Sequence, residues 1–515
     1  MSHNRPFETP DSVLSLVETQ AIRHGDATYV LEVRGPRTIT YETLATKTRE
    51  WQDTLRALGV TSGARVGLIV ADPLDFTEAF ISLLAAGVWV APLDPTAALS
   101  TGEQINQRSQ TLNLELIVSD RRAPADQKVR WHDMYASSHG EGSSTRVAAF
   151  DPQSGGVLLS SSGTTGTPKV MALPVGQLLH AAALIATHNE LTPTERGMNP
   201  LPLWHINAEV VGLLATLVSG ASLALDDRFH RTGFWTLVDS LGVTWINAVP
   251  AIISRLVALQ ENEVVPSRVR FIRSASAPLA PALLRQFESA TDIQVVESYG
   301  MTEAASQICV NPLDATRKIG SVGRPVGVEL RVRSLDHTDK SDADSFVVGN
   351  VEIKGRSVIT NYEAQGYEDR FDDAGWLRTG DLGYLDDEGF VFLVGRSDDV
   401  INRGGEKIFP REIEESVLGL AAVSACAVVG APHDVYGQVP VLFVQLEGVT
   451  SATSLDDVLI TVKEIHDVLV SAFARTRRPV SINVVEHFPS HATGKIQKRF
   501  LTSESVPVLL EHRVS

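Results

Sequence analysis

At 515 residues the chain is long enough for about three folding units of roughly 150 residues each, so several cores with clefts between them are expected. Lys and Arg number 45 against 62 Asp and Glu, a formal charge of −17, which argues against a protein built to lie on nucleic acid or an anionic membrane. With 43% hydrophobic and 21% charged residues the composition is that of a soluble globular protein, neither disordered nor fibrous. Only two cysteines occur, Cys309 and Cys426, which excludes a disulfide framework and a Cys-based zinc site and makes a reducing cytoplasm the expected setting. The first residues, from Met1 to Pro10, lack the pattern of a secretion signal. The longest uncharged apolar stretch, Val210 to Leu225, falls short of the roughly 20 residues a membrane span needs and reads as a buried helix running into a strand.

In chain order, short β-branched runs alternate with helix-length segments: Val66–Val70, then Asp75–Ala86, then Gly87–Leu93, then Leu116–Val118. That alternation predicts βαβ units and mostly parallel sheet. It resumes with Val157–Leu159, Thr244–Val249, Val269–Ile272 and Ile293–Val296. From about residue 320 to 395 short alternating strands such as Glu329–Arg333 and Phe390–Val394 predict a β-rich subdomain. After Asp398 the order helix, strand, strand, helix, strand predicts a compact α+β unit. The expected fold class is therefore α/β: a large N-terminal domain over 1–397 and a small mobile C-terminal domain over 398–515, with Asp398 as the hinge.

Leu158-Leu-Ser-Ser-Ser-Gly-Thr-Thr-Gly-Thr-Pro-Lys169 is a strand entering a loop that ends on a lysine. Gly163 and Gly166 let backbone N–H groups turn inward, Ser161, Ser162, Thr164, Thr165 and Thr167 add hydroxyl donors, and Lys169 adds a positive charge, a combination suited to polyphosphate. It does not match the Walker pattern, since Lys169 lies between Pro168 and Val170. A second segment, Tyr299-Gly-Met-Thr-Glu303, follows a strand and a Gly300 turn, placing Glu303 at the carboxyl edge where open α/β sheets bind ligands. In Trp376–Gly383, glycines 380 and 383 bracket Asp381, which can accept from two vicinal hydroxyls.

These segments, with Gly395-Arg396 and Gly494-Lys495, resemble the acyl-adenylate-forming superfamily of acyl- and aryl-CoA ligases, adenylation domains of nonribosomal peptide synthetases and beetle luciferases. The resemblance runs from Thr38 to Lys495 in the family's order and approximate spacing. It implies a two-step reaction: a carboxylate attacks the α-phosphate of ATP to give an acyl-adenylate and pyrophosphate, and a thiol then displaces AMP. It further implies that Thr302 contacts the α-phosphate, Glu303 holds Mg²⁺, Tyr299 stacks on adenine, and Asp381 and Arg396 hold the ribose. Glu297, Ser298, Gly300 and the small-residue turn Ser276-Ala277-Pro278 are expected around the nucleotide. Lys495, on a loop before the basic, helix-like stretch Ile496–Leu501, is expected to bridge carboxylate and phosphate during adenylation and then withdraw as the small domain rotates.

By the same resemblance Trp204, His205, Asn207, Ala208, Ser274, Ala275 and Met301 line the acyl pocket, with Trp204 and His205 as gate and His205 among the catalytic groups. No Asp stands between Trp204 and Val211 to pair with an α-amino group, so an uncharged acyl or aryl tail is favoured, with Glu209 the one acid available to a cation. Val170 and Ala275 stand where the family commonly has Gly, and Asn350 and Asn361 replace an expected Glu and Gly. Val170 and Ala275 are expected to reshape the pocket mouth or the backbone path. Gly404 and Gly405 are expected to border a pantetheine tunnel, and Arg403, Lys407 and Arg475–Arg478 are candidates for the CoA phosphates. The short stretch after Phe500 holds no fused carrier domain, so the expected acceptor is CoA or, alternatively, a separate carrier protein. An inactive binding relative would be expected to lack Lys495 or Glu303, and both are present.

Overall fold

A computed structural model describes residues 6–96, 102–136, 150–151, 153–161, 169–260, 263–335, 347–363, 366–420, 422–489, 496–502 and 505–514. Four sheets organise these residues. A six-stranded sheet runs Arg130–Asp133, Leu116–Ser119, Arg65–Ile69, Trp89–Pro92, Gly156–Ser161, Lys169–Pro174; only its last pair, the hairpin with Ser161 opposite Lys169, is antiparallel. In a nine-stranded sheet the central strands Gln294–Tyr299, Phe271–Ser274, Trp245–Ala248, Arg196–Asn199, Ser222–Leu225 and Thr28–Glu32 are parallel. Their residues are buried almost continuously, as strands covered by helices on both faces must be.

The sequence pattern placed these strands within a few residues. Where it predicted β-rich structure, Val328–Ser334, Gly349–Gly355, Leu377–Leu385 and Val391–Arg396 form a four-stranded antiparallel sheet. One apolar cluster extends from Val13 to Val391, and another from Ile401 to Val484. The second fills a sheet built on the long hairpin Val423–His433 and Gly437–Leu446, which helices Pro410–Leu418 and Leu455–Ala472 accompany. The final strand, Val508–Arg513, lies antiparallel to Ser481–Val485 and was absent from the expected order of elements.

Two local expectations change. The buried helix expected from Val210 begins as a π-helix, Ala208–Leu214, and becomes α only over Ala215–Ser219, before the strand Ser222–Leu225. The basic stretch expected as a helix at Ile496–Leu501 forms only a 3₁₀ turn, Lys498–Phe500, with the Lys498 ammonium 2.8 Å from Glu414 and 3.8 Å from Asp399. Both cysteines are buried and free, and no helix among the described residues is long and apolar enough to cross a membrane.

Gly300 is held by close packing: a Cβ there would meet the backbone carbonyl of Ser306 well inside contact distance. We expect Gly300→Ala to destabilise the chain by about 1–3 kcal/mol through overpacking, read as a lower denaturation midpoint in urea with an unchanged slope.

Candidate active site

The parallel strands of the nine-stranded sheet end together at Asn199, Ala248, Ser274 and Tyr299, and the expected site residues gather at this carboxyl edge. After Tyr299 the chain turns at Gly300 into a short 3₁₀ helix, Thr302–Ala304. Thr302 is half-buried there, while Glu303 is only 8% exposed and accepts from the Tyr362 hydroxyl at 2.8 Å. The Glu303 carbonyl accepts from the Ile359 amide at 2.8 Å, which fixes the turn against the β-rich subdomain.

The Tyr299 hydroxyl donates to Asp381, and the other Asp381 oxygen accepts from Arg396 at 3.0 Å. Asp381 pairs with Arg396 in the antiparallel register of Leu377–Leu385 and Val391–Arg396, so sheet geometry alone sets the two side by side. Burial, then Asp381, push the Tyr299 hydroxyl well above its ordinary pKa, so it stays a donor at neutral pH. Arg396 is held above its ordinary value by Asp381, against the opposing effect of burial.

Lys169 enters from the third direction. Its ammonium lies 5.1 Å from the centre of the Tyr367 ring and 5.8 Å from that of Tyr362. Burial lowers its pKa first, and the positive charges of Arg370 and Arg396 add to this while Glu303 opposes it. A Cβ on Gly380 would touch the guanidinium nitrogens of both Arg396 and Arg370, so the two arginines flank one turn. Arg370 Nε is buried without a hydrogen-bond partner among the described residues. Three cations thus converge on two carboxylates, Glu303 and Asp381. The sequence reading had Lys169 and Arg396 but missed Arg370, Tyr362 and Tyr367, which sit in a segment without a phosphate-loop pattern; the aromatic spacing Tyr362…Tyr367 before Arg370 was the available signal.

The acyl segment is placed as expected in part. Asn207 and Ala208 are buried, Trp204 and His205 half-buried, with ring centres 6.2 Å apart. Trp204 also lines a shallow depression with Phe76, Leu201, Leu203 and Asp226. Ser274 and Ala275 are buried at the strand end, Met301 is half-buried, and Ser276 and Pro278 of the following turn are exposed with Ala277 between. Ser276 adopts a left-handed backbone, φ 72°, unusual for a residue other than glycine. The Ser298 hydroxyl donates to the Ser274 carbonyl at 3.1 Å, locking neighbouring strand ends. Glu209 is fully buried on the π-helix, neither oxygen has a hydrogen-bond partner among the described residues, and burial drives its pKa well up, which disfavours its use as an anion toward a substrate cation.

Other expectations are narrowed by the contacts. The Val170 side chain is buried in an apolar cluster with Ile69, Leu93 and Leu158, which leaves the backbone path as the way it would act on the site. Asn361 is exposed and Asn350 lies in a strand at a register shift. Arg403 donates to the Thr476 carbonyl at 2.7 Å and lies over the Tyr436 ring, Arg477 pairs with Glu412, and Arg478 donates to the Phe473 carbonyl at 2.8 Å, while Lys407 and Arg475 are exposed. Gly404 and Gly405 are exposed in left-handed conformation, with φ 60° and 97°. Asp398 is exposed in a 3₁₀ turn, Ser397–Asp399. Ser162, Gly163, Thr164, Thr165, Gly166, Thr167 and Lys495 lie outside the described residues, and Ser161 ends its strand.

Glu297 is 5% exposed, and burial raises its pKa to about 7, opposed by Arg411 of the helix Pro410–Leu418. The raised carboxyl binds its proton more tightly in the folded chain than in the unfolded one, so its contribution is complete below about pH 4 and is lost as pH rises through about 7. We expect stability to fall between pH 5 and 8 in the wild type and this part of the slope to vanish in Glu297→Gln, measured by urea titration at each pH.

The sequence profile of the AMP-binding enzyme family matches residues 17–363, and that of the AMP-binding enzyme C-terminal domain matches residues 412–495. A sulfoacetate–CoA ligase of Cupriavidus necator is 32% identical over 95% of this chain and 97% of its own. An oxalate–CoA ligase of Arabidopsis thaliana is 30% identical over 86% of this chain and 88% of its own. Among solved structures, o-succinylbenzoate CoA synthetase from Bacillus subtilis in complex with its acyl-adenylate intermediate superposes with a TM-score of 0.81 at 25% identity, covering 95% of this chain and 98% of that one.

Proposed function

Because the chain belongs to the AMP-binding enzyme family, we propose that it is an ATP- and Mg²⁺-dependent acyl-CoA ligase acting on a carboxylic acid without an α-amino group. The observation that carries this reading is the convergence of Lys169, Arg370 and Arg396 on Glu303 and Asp381 at one strand edge. The relatives named above as ligases of sulfoacetate and oxalate, acids that lack an amino group, support it.

ATP supplies an electrophilic α-phosphorus and pyrophosphate as leaving group. The residues fit it: Arg370 has a buried N–H without a partner among the described residues, and Asp381 offers a fixed carboxylate beside Arg396. Attack by a carboxylate adds negative charge at phosphorus, so preorganised cations and donors act where that charge develops. Lys169, Arg370 and Arg396 supply the charge, and Thr302 supplies a hydroxyl at the same turn. Glu303 presents the hard oxygen donors that Mg²⁺ prefers, oriented by Tyr362. Asp381 accepts from the ribose hydroxyls, and Tyr299, anchored by that same carboxylate, offers an apolar ring to the base.

Lys495 bridges the reacting carboxylate and phosphate. Withdrawal of the small domain, 398–515, about Asp398 then opens the path past Gly404 and Gly405 to the CoA thiol, with Trp204 and His205 beside the entering thiol. Lys498 with Asp399 and Glu414 ties the end of the small domain to the stretch just after Asp398, so these residues would move as one body.

Pyrophosphate release over a panel of carboxylic acids, with thioesters identified by mass spectrometry, tests the reading: acid-dependent pyrophosphate with a CoA thioester is expected, and a retained adenylate transferred only to a carrier protein would replace CoA as acceptor. Arg370→Ala should lower adenylation by about 10²-fold, as loss of a charge-stabilising donor does. Lys495→Ala should abolish adenylate formation while thioester formation from a supplied acyl-adenylate stays near wild type; equal loss of both steps would overturn the rotation.

A further inference from the structure

Arg273, on the strand Phe271–Ser274, is among the largest fully buried side chains, at 0% exposure. Nη2 donates to Gln307 Oε1 at 2.9 Å, but Nε and Nη1 have no hydrogen-bond partner among the described residues. No ion pair forms with it among those residues, although burying a charge without a counter-ion costs several kcal/mol. Burial lowers its pKa only to about 10, so it remains a cation at pH 7. Nearby His188 is held at about 4 by its own burial and by Arg273, so the histidine is neutral and adds no competing charge.

The surroundings supply more donors and no anion. Gln307 spends its Oε1 on Arg273, which leaves its amide nitrogen beside the guanidinium, and that nitrogen is also buried without a partner among the described residues. Three N–H-bearing atoms from two adjacent side chains are thus unspent against one buried unpartnered acceptor on the neighbouring strand, Asn247 Oδ1, and a cation-centred cluster with this excess of donors is complementary to an oxyanion.

The cluster is continuous with the acyl segment. Arg273 is in register with Asn247 and with Val296 on the neighbouring strands, so these side chains share one face of the sheet. On that face the Asn247 amide donates to Asn199 Oδ1 at 2.9 Å and to Asn207 Oδ1 at 2.7 Å, and Asn207 stands two residues beyond His205. A polar row therefore leads from the expected gate to Arg273. The Arg273 backbone also precedes Ser274, at the strand's end, by a single step of about 3.3 Å.

We propose that Arg273, with Gln307, binds a second anionic group on the substrate acid, a carboxylate or sulfonate at the far end of a short chain, and so restricts the enzyme to short dianionic acids. The inference rests on the acyl-CoA ligase reading and names the substrate class of that site. It reverses the expectation of an uncharged tail: the absence of an acid near Trp204 excludes pairing with a cationic substrate group, whereas the buried charge that is present has the opposite sign.

The test measures thioester formation by the full chain with ATP, Mg²⁺ and CoA, comparing malonate and sulfoacetate with their singly charged counterparts, monomethyl malonate and methylsulfonylacetate. A site built around hydrogen bonds to one group rejects the analogue lacking it, so kcat/KM should favour the dianions by at least roughly 100-fold. The malonate and sulfoacetate arms separate carboxylate from sulfonate recognition. Arg273→Met should remove the preference, mainly through KM for the dianions, while the monoanions stay within a few-fold. Arg273→Lys, which keeps the charge but loses the fork of donors, should recover part of it. A purely structural arginine would depress all four acids together, and that result overturns the proposal, as does equal use of both series by the wild type. Should Arg273→Met fail to fold, thermal protection of the wild type decides: stabilisation by malonate or sulfoacetate but not by their counterparts supports the site, and equal stabilisation overturns it. Thioesters from monoanions alone overturn this inference and leave the ligase reading standing, whereas no adenylate from any acid in the wider panel overturns both.

Discussion

The hydrogen bond from Tyr299 to Asp381, backed by Arg396, joins the nine-stranded sheet to the antiparallel sheet, and the arrangement of the site depends on it. Tyr299 ends a buried parallel strand, whereas Asp381 and Arg396 belong to an antiparallel pair, so a single carboxylate aligns two sheets of different construction. The alignment sets where the segment from Tyr362 to Arg370 falls, because that segment leads into the strand bearing Asp381. Tyr362 then orients Glu303, and the aromatic pair Tyr362 and Tyr367 shelters the Lys169 ammonium. Arg396 is held next to the half-buried Asp381 by strand register and not by a flexible loop.

Electrostatics explain how an acidic protein can grip anions. A net charge of −17 disfavours binding of anions at the surface as a whole, so attraction has to be local and partly desolvated. Lys169, Arg370 and Arg396 meet this requirement together, and the lowered pKa of Lys169 is the signature of their mutual repulsion added to burial. Arg273 lies apart, behind the strand ends, with no carboxylate among its charge partners. Cations clustered on a surface would exchange readily with solvent ions; cations sunk at a sheet edge favour a ligand that replaces several hydration contacts at once.

Much of the fold was legible because buried parallel strands write themselves as short β-branched runs: Val66–Val70, Thr244–Val249 and Ile293–Val296 all fell on strands. The motif residues Tyr299, Glu303, Asp381 and Arg396 were legible because each follows a strand or a glycine turn that fixes its position. Less legible were features created only by long-range packing. The π-helix at Ala208–Leu214 carries the same apolar pattern as an α-helix, and the 3₁₀ turn at Lys498–Phe500 is too short for its basic residues to signal. Arg273 reads in sequence as one more strand residue, and only the register with Asn247 and the contact with Gln307 reveal a buried cation. The core packing of the Val170 side chain was hidden for a related reason: a strand residue faces either the pocket or the core, and period-two patterning beside a loop does not decide which.

The electrostatic attraction between Glu297 and Arg411 bears on how the small domain is proposed to move. Glu297 belongs to the nine-stranded sheet and Arg411 to the helix that opens the C-terminal unit, so their attraction crosses the proposed hinge. A fully ionised, desolvated pair would resist separation, because parting it leaves a buried charge without compensation. Burial instead holds Glu297 at about 7, where it is ionised only in part near neutral pH, and Arg411 keeps a second partner, Glu415 at 2.6 Å, on its own helix. Arg411 can therefore leave Glu297 without losing its counter-ion, and Glu297 can take up a proton when the arginine departs. The attraction is thus compatible with the proposed rotation of the small domain, because neither partner is left as an uncompensated buried charge when the two part.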